Sequence, residues 1–316
     1  MSKTSTWNYR WPTLAAAVVL LAAQAPAYAD ELSCPPLIEH SLVTDAEITH
    51  GQGLLWRIED QQHRDHAASY VFGTIHLGDP RVAAVPPDVK SALLASQSFF
   101  MEAKFDPTSM SEFAQQMTLP SDKKLEAIVG SALFRRAEQL LSHFNVPAET
   151  AQHLRPWAVF MTLNQPQSDH GLPLDLVLMQ MASDAGKSVT GIETLREQAD
   201  VFAGFSDSDQ IKMLRDSVCY YDRVQADLQR LLEMYVARDL TGIVRLADTY
   251  EGSDEELAER MLKVLITDRN LRMAKRLQPF LQHGGAFIAV GALHLPGDDG
   301  LLHLLEQRGF GVTRVY

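Results

Sequence analysis

Two apolar runs from opposite ends of this chain finish on one pattern. Tyr70-Val71-Phe72-Gly73-Thr74-Ile75-His76 is followed by Gly78-Asp79-Pro80, and Ala286-Phe287-Ile288-Ala289-Val290-Gly291-Ala292-Leu293-His294 is followed by Pro296-Gly297. Short β-branched and aromatic runs closed by Gly and Pro read as buried strands ending in turns. Strands so far apart in sequence fit one sheet only if both ends of the chain build it and the middle folds outside. Ligands of α/β sheets collect beyond strand ends, in loops held by a rigid scaffold. The two histidines are therefore expected to face each other across one pocket.

Further strand-like runs cluster at the two ends, with one between. The full set is Leu54–Ile58, Ser69–Thr74, Ser98–Ala103, Ser188–Ile192, Ala286–Val290 and Gly311–Tyr316. Long stretches with helical periodicity separate them. Leu125, Ile128, Ala132, Leu133, Leu140 and Phe144 share one helical face, as do Leu257, Met261, Val264, Leu265 and Leu271. The expected fold is α/β: a central mixed sheet assembled from both ends of the chain, flanked by helices, with a large helical subdomain. The expected organisation is one domain over residues 30–316, with helical insertions at about 108–187 and 196–282.

The first 29 residues read as a secretory signal. Lys3 and Arg10 precede the apolar Leu14–Ala23, too short to span a bilayer, and Ala27-Tyr28-Ala29 fits a cleavage site. The expected mature chain starts near Asp30 in a periplasmic or secreted setting, with no later membrane span. It then carries 26 basic against 40 acidic side chains, a poor match for nucleic acid or anionic lipid. Both cysteines, Cys34 and Cys219, belong to that mature chain. In an oxidising compartment they can pair; two free thiols are the alternative the sequence leaves open.

Four strand ends carry residues that bind metals or move protons: His76, Glu102, Glu193 and His294. Imidazole and carboxylate together suit Zn, Mn, Co or Fe, and a carboxylate beside such an ion can act as general base on water. Singly, each has a structural alternative, because a histidine after a strand is often only hydrogen-bonded. Glu193 also precedes Thr194-Leu195-Arg196-Glu197, which reads as a capping box. Adjacent carboxylates need a cation between them, either a divalent metal or Arg269.

These segments resemble the TraB/GumN family, which includes PrgY-like and Tiki-like proteins. The match is carried by Phe72-Gly73-Thr74-Ile75-His76, Phe100-Met101-Glu102, Gly191-Ile192-Glu193-Thr194 with Gln198, Asp268-Arg269-Asn270, and Val290 to Gly297. The helix from Asp175 to Lys187 fits as well, and the bacterial GumN-like branch fits best. The resemblance implies an α/β core with a helical subdomain and a hydrolase, in the Tiki branch a metal-dependent protease. It implies essential roles for His76, His294 and Glu102 and a divalent metal (Mn, Co or Zn); in such a hydrolase Glu193 is either a further ligand or a support behind the ligands. Arg269 and Asn270 join the site by resemblance alone; helical spacing instead puts Asp268 on the apolar face. The implied partner is a peptide or a small amide or ester. ChaN-like and PrgY-like relatives imply an alternative, a non-catalytic haem- or peptide-binding protein. Accessory work in polysaccharide export follows only from the GumN name.

Overall fold

The computed structural model of the protein describes residues 32–37, 47–167, 171–249 and 253–316. The leader at 1–29 and its cleavage point lie outside the described residues. The six expected runs are all strands: β1 (Leu55–Asp60), β2 (Ser69–Thr74), β3 (Ser98–Ala103), β4 (Ser188–Glu193), β5 (Ala286–Gly291) and β6 (Phe310–Arg314). They form one sheet in the order β4-β3-β5-β2-β1-β6. The pairs β4–β3, β3–β5 and β5–β2 are parallel, whereas β1 runs antiparallel to both β2 and β6. The strand nearest the C-terminus of the parallel group, β5, thus sits between two strands from the first third of the chain. Four parallel strands put four C-terminal ends along one edge, where ligands of such sheets bind.

The sheet is apolar because it is covered. Ala286, Phe287, Ile288, Ala289 and Val290 of β5 are 0–1% exposed, the continuous apolar run expected of a central parallel strand. Phe287 stacks on Phe99 with ring centroids 6.0 Å apart and leans on Phe72 at 6.4 Å. Burying side chains of this size contributes about 1.5–3 kcal/mol each. The helix Leu174–Asp184 packs on β3, β4 and β5, and the helix Asp268–His283 packs on β1 and β4. Arg276 anchors the latter, reaching the Ile192 carbonyl at 2.9 Å and the Glu197 carboxylate at 2.6 Å. Thr194 and Glu197 form the expected capping box.

A second apolar cluster lies among the helices and centres on Leu133, Phe134, Leu141, Trp157, Leu163 and Leu214. The expected single helical face over Leu125–Phe144 is instead broken. Gly130, at φ +85°, separates Leu125–Val129 from Ser131–Leu141. That left-handed backbone angle favours glycine and ends a helix.

The second helical stripe is also corrected. A π-helical turn, Lys263–Thr267, joins Glu255–Leu262 to Asp268–His283. Its additional residue rotates everything after it by about 100°. Leu271 is consequently 47% exposed, and Asp268 pairs with Lys263 at the surface, while Arg269, Asn270, Met273, Ala274 and Leu277 turn inward.

Cys34 and Cys219 form a disulfide with Cα atoms 5.6 Å apart. It fastens residues 32–37 to the end of the helix Asp207–Cys219, and the Tyr220 hydroxyl donates to the Pro35 carbonyl at 2.5 Å. Among the described residues no helix is long and apolar enough to cross a membrane. The disulfide closes a loop of 185 residues, so its loss is expected to cost about 2–5 kcal/mol. Thermal unfolding with and without reductant, and of Cys34→Ser, measures this; an unchanged Tm would show that the bond adds no stability.

Candidate active site at the strand ends

The edge formed by β2, β3, β4 and β5 gathers the expected residues. Glu102 is the penultimate residue of β3 and Glu193 ends β4, while the two histidines follow β2 and β5. The last β3–β5 pair is Met101 with Ala289. Beyond it the Gly291 N–H goes to a side chain, donating to Glu102 Oε1 at 2.6 Å. A methyl group at Gly291 would stand 3.1 Å from Glu102 Oε1, 3.5 Å from His294 Cδ2 and 3.9 Å from His76 Nε2. Three chemically active groups therefore converge on one glycine. The first motif's glycine has a related reason: a methyl at Gly73 would meet Leu295 Cδ1 at 2.8 Å and Ala292 Cα at 3.1 Å. Close approach of the two strand-end segments thus requires glycine in both motifs.

Each imidazole is oriented through Nδ1. That of His76 donates to Asp175 Oδ2 at 2.8 Å, and Asp175 Oδ1 accepts the Thr74 hydroxyl at 2.5 Å. The His294 Nδ1 faces Asn270 Oδ1 at 2.7 Å. Asn270 donates its Nδ2 to the Asp299 carbonyl at 2.8 Å, so its oxygen is the end presented to the ring and His294 Nδ1 carries the proton. Both Nε2 atoms are left for the site, as in histidines held by outer partners for metal binding.

The carboxylates are balanced by arginine. Arg269 Nη2 donates to Glu102 Oε2 at 2.5 Å and Nε to Glu193 Oε2 at 2.8 Å. Gln198 adds a hydrogen bond to Glu102 Oε2 at 3.2 Å. Arg272 lies 3.4 Å from Glu193 Oε1. Glu193 is thus spent on two arginines and does not line the cavity that holds the other groups. Arg269, one of the two expected sources of positive charge, sits between the two carboxylates.

Electrostatics separates the two histidines. Burial lowers the His294 pKa to about 4, with Arg269 and His76 adding to the effect against Glu102. Desolvation also works against a proton on His76, but the charge and hydrogen bond of Asp175, with Glu102, outweigh it and raise its pKa to about 9. The His76 ring is enclosed by cavity walls yet open to its interior, with its side chain 59% exposed. Burial opposes ionisation of Glu102; the facing His294, Arg269 and His76 and the Gly291 N–H overcome it and hold its pKa well below the carboxylate range.

A cavity of about 410 Å³ opens over these groups, a size usual for small-molecule sites. Its far wall is mainly apolar: Val224, Leu228, Leu231, Ile243 and Leu246 come from the helices Tyr221–Val236 and Leu240–Thr249, with Asp227, paired to Arg223 and Arg230, among them. Tyr235 joins floor and wall, donating its buried hydroxyl to the Gly73 carbonyl at 2.8 Å.

Sequence reasoning placed Asp268 on the apolar face, and the π-turn puts Asn270 there instead, 0% exposed. Asp175 and Tyr235 were missed as parts of the site. Asp175 had a signal, a single acid among Leu174, Leu176, Val177 and Leu178 in one helix. Tyr235 had none, because its partner is a backbone carbonyl 162 residues away. His63 and His66 stand in an exposed loop away from this site, stacked on each other.

A model of the TraB/PrgY/gumN family matches residues 54–314. The chain belongs to that family. It is 26% identical to the metalloprotease TIKI2 of Danio rerio over 312 residues, covering 82% of this chain and 60% of that one. Against the metalloprotease TIKI1 of Homo sapiens the identity is 25%, with 82% and 61% covered. The uncharacterized protein YbaP of Escherichia coli (strain K12) is 24% identical, with 75% and 87% covered. The chain spans about three fifths of the length of these TIKI metalloproteases. No solved structure matches it.

Removing Arg269 would leave Glu102 and Glu193 buried without their shared cation. Arg269→Met is expected to cost about 3–5 kcal/mol, whereas Arg272→Met, with a side chain 32% exposed, costs about 1 kcal/mol or less. Urea unfolding of the two variants measures the difference; equal losses would show that Arg269 does not hold the carboxylates together.

Proposed function

We propose that this protein is an exported metal-dependent hydrolase that cuts peptide or related amide bonds. The observation that carries the reading is the pairing of His294 Nε2 with Glu102 Oε1, 3.7 Å apart. With the proton on Nδ1, both atoms present lone pairs. Two such atoms are too far apart and too alike to hydrogen-bond, and they repel unless a cation joins them. A tetrahedral ion about 2.1 Å from each donor separates them by about 3.4 Å, so the spacing fits a shared metal.

The donor set also fits by chemistry. Among the described residues no three His, Cys, Asp or Glu side chains close on one point as a finished metal site. His294 and Glu102 supply two of the donors, and His76 would supply the third by giving up its Nε2 proton on the ion's arrival. Such an ion, when bound, activates water and polarises a carbonyl. Asp175 and Asn270 fix the two rings, and Arg269 keeps Glu102 ionised. Glu193 holds Arg269 in this reading and ligates nothing. The apolar wall excludes bulk water and takes the substrate's non-reacting part.

Several observations support the parts of this reading. The TIKI relatives are named metalloproteases. The disulfide fits an oxidising compartment. The same cavity without turnover would make a peptide- or haem-binding protein, and the metal assay separates the two.

Elemental analysis and cleavage of a mixed peptide library test the proposal together. Wild type is expected to carry one divalent ion per chain and to lose turnover to a chelator. His76→Ala, His294→Ala and Glu102→Gln should each lower kcat/KM by about a thousandfold, within the range for groups that activate water, and lose the ion. A chelator-resistant activity that survives His294→Ala would sink the metal reading.

A further inference from the structure

Beside the candidate active site the helices enclose a second cavity of about 220 Å³. Asn164 and Ala247 line both cavities, so the two are neighbours. The second is walled mainly by Phe160, Met213, Leu257, Met261, Leu262 and Leu265. Asp216 is one of four polar residues in this largely apolar lining, with Asn164, Ser217 and Asp254. Asp216 is 8% exposed. Its Oδ2 accepts the Ser253 N–H at 2.8 Å and hydroxyl at 3.2 Å, while its Oδ1 is buried and has no hydrogen-bond partner among the described residues.

Buried carboxylate oxygens are ordinarily satisfied, and the nearby cations leave this one alone. Lys212 gives its ammonium to Asp254 Oδ2 at 2.6 Å, and Arg260 lies 3.3 Å from Asp209. Asp254 is itself engaged, capping Leu257 N–H through Oδ1 at 3.0 Å. Arg215 acts on Asp216 only through space, against the negative charge of Asp254. A largely apolar chamber with one such carboxylate oxygen asks for a donor that brings its own apolar body. Calcium or magnesium would need several free oxygens, whereas the other polar residues of the lining already hydrogen-bond, Asn164 to Ser217 and Asp254 to Lys212 and Leu257.

We infer that this cavity is a subsite for an organic cation on an aliphatic stem, an alkylammonium or guanidinium group of the kind lysine and arginine side chains carry. Asp216 Oδ1 receives its N–H, and Met213, Met261 and Leu265 pack its stem. An extended ligand that passes Asn164 and Ala247 would fill both cavities. The substrate of the hydrolase then carries a basic side chain near the bond to be cut. That extension rests on the function proposed above; binding of the cation does not.

Titration with n-butylammonium, against 1-butanol as its neutral analogue, tests the subsite without any turnover. Wild type is expected to bind the cation and to bind butanol far more weakly. Asp216→Asn, which keeps an acceptor for Ser253, should weaken the cation about tenfold or more, the size of a charge-assisted hydrogen bond. Ala258→Leu narrows the same cavity and should weaken it with the carboxylate intact. Equal binding of butanol, unchanged affinity in Asp216→Asn, or no binding at all would overturn the subsite and leave water as the partner of Oδ1. In a second arm, two fluorogenic peptides differ only by lysine or norleucine. A lysine preference in kcat/KM that vanishes in Asp216→Asn supports the extension. If neither peptide is cut while butylammonium still binds, the hydrolase reading fails and the subsite stands. Cleavage without lysine preference or amine binding would reject the subsite and leave the hydrolase.

Discussion

A guanidinium held between two buried glutamates is the constraint on which the strand-end site depends. Arg269 reaches Glu102 at the end of β3 and Glu193 at the end of β4. Parallel strands put both carboxylates at one edge, where their mutual repulsion would push the strands apart. The arginine removes that repulsion and keeps Glu102 ionised in a setting that otherwise favours its neutral form. With Glu102 charged, the Gly291 N–H has an acceptor, and the segment carrying His294 is drawn to β3. The arrangement at this edge is thereby a product of charge balance and sheet topology together.

Backbone details decide whether that balance is reached. The π-turn at Lys263–Thr267 rotates Arg269 and Asn270 inward together. Arg269 then meets the carboxylates, and Asn270 meets His294. A regular helix would bring Asp268 to that face and add a third acid to a cluster that needs positive charge. Insertions of this kind recur at functional sites because they re-aim side chains without ending the helix. The glycines of the two motifs act in the same spirit. Their missing Cβ atoms let β2, β5 and the Ala292–His294 turn come close enough for three active groups to share one small volume.

The helical region contributes more than cover. Its helices Tyr221–Val236 and Leu240–Thr249 form the apolar wall opposite the histidines, and Tyr235 ties that wall to the Gly73 carbonyl. The disulfide fixes the N-terminal arm to the same region. An apolar wall facing a charged floor fits a ligand with one reactive polar group and a bulky apolar remainder, and it raises the strength of every charge below it by keeping water out.

The sequence by itself determined the strands and their common fate. Apolar runs closed by glycine and turn residues mark all six strands to within two residues, because strand burial leaves a period and a boundary that are local. The residues at the strand ends, His76, Glu102, Glu193 and His294, were legible for the same reason. Tertiary structure alone decided what each does. Asp175 and Tyr235 act through partners 99 and 162 residues away, and no local pattern records such a distance. The inward turn of Asn270 depends on a helix phase that hydrophobic periodicity, assuming 3.6 residues per turn, misreads after the π-turn. The division between a raised His76 and a lowered His294 comes from burial and neighbouring charge, which exist only once the chain has folded.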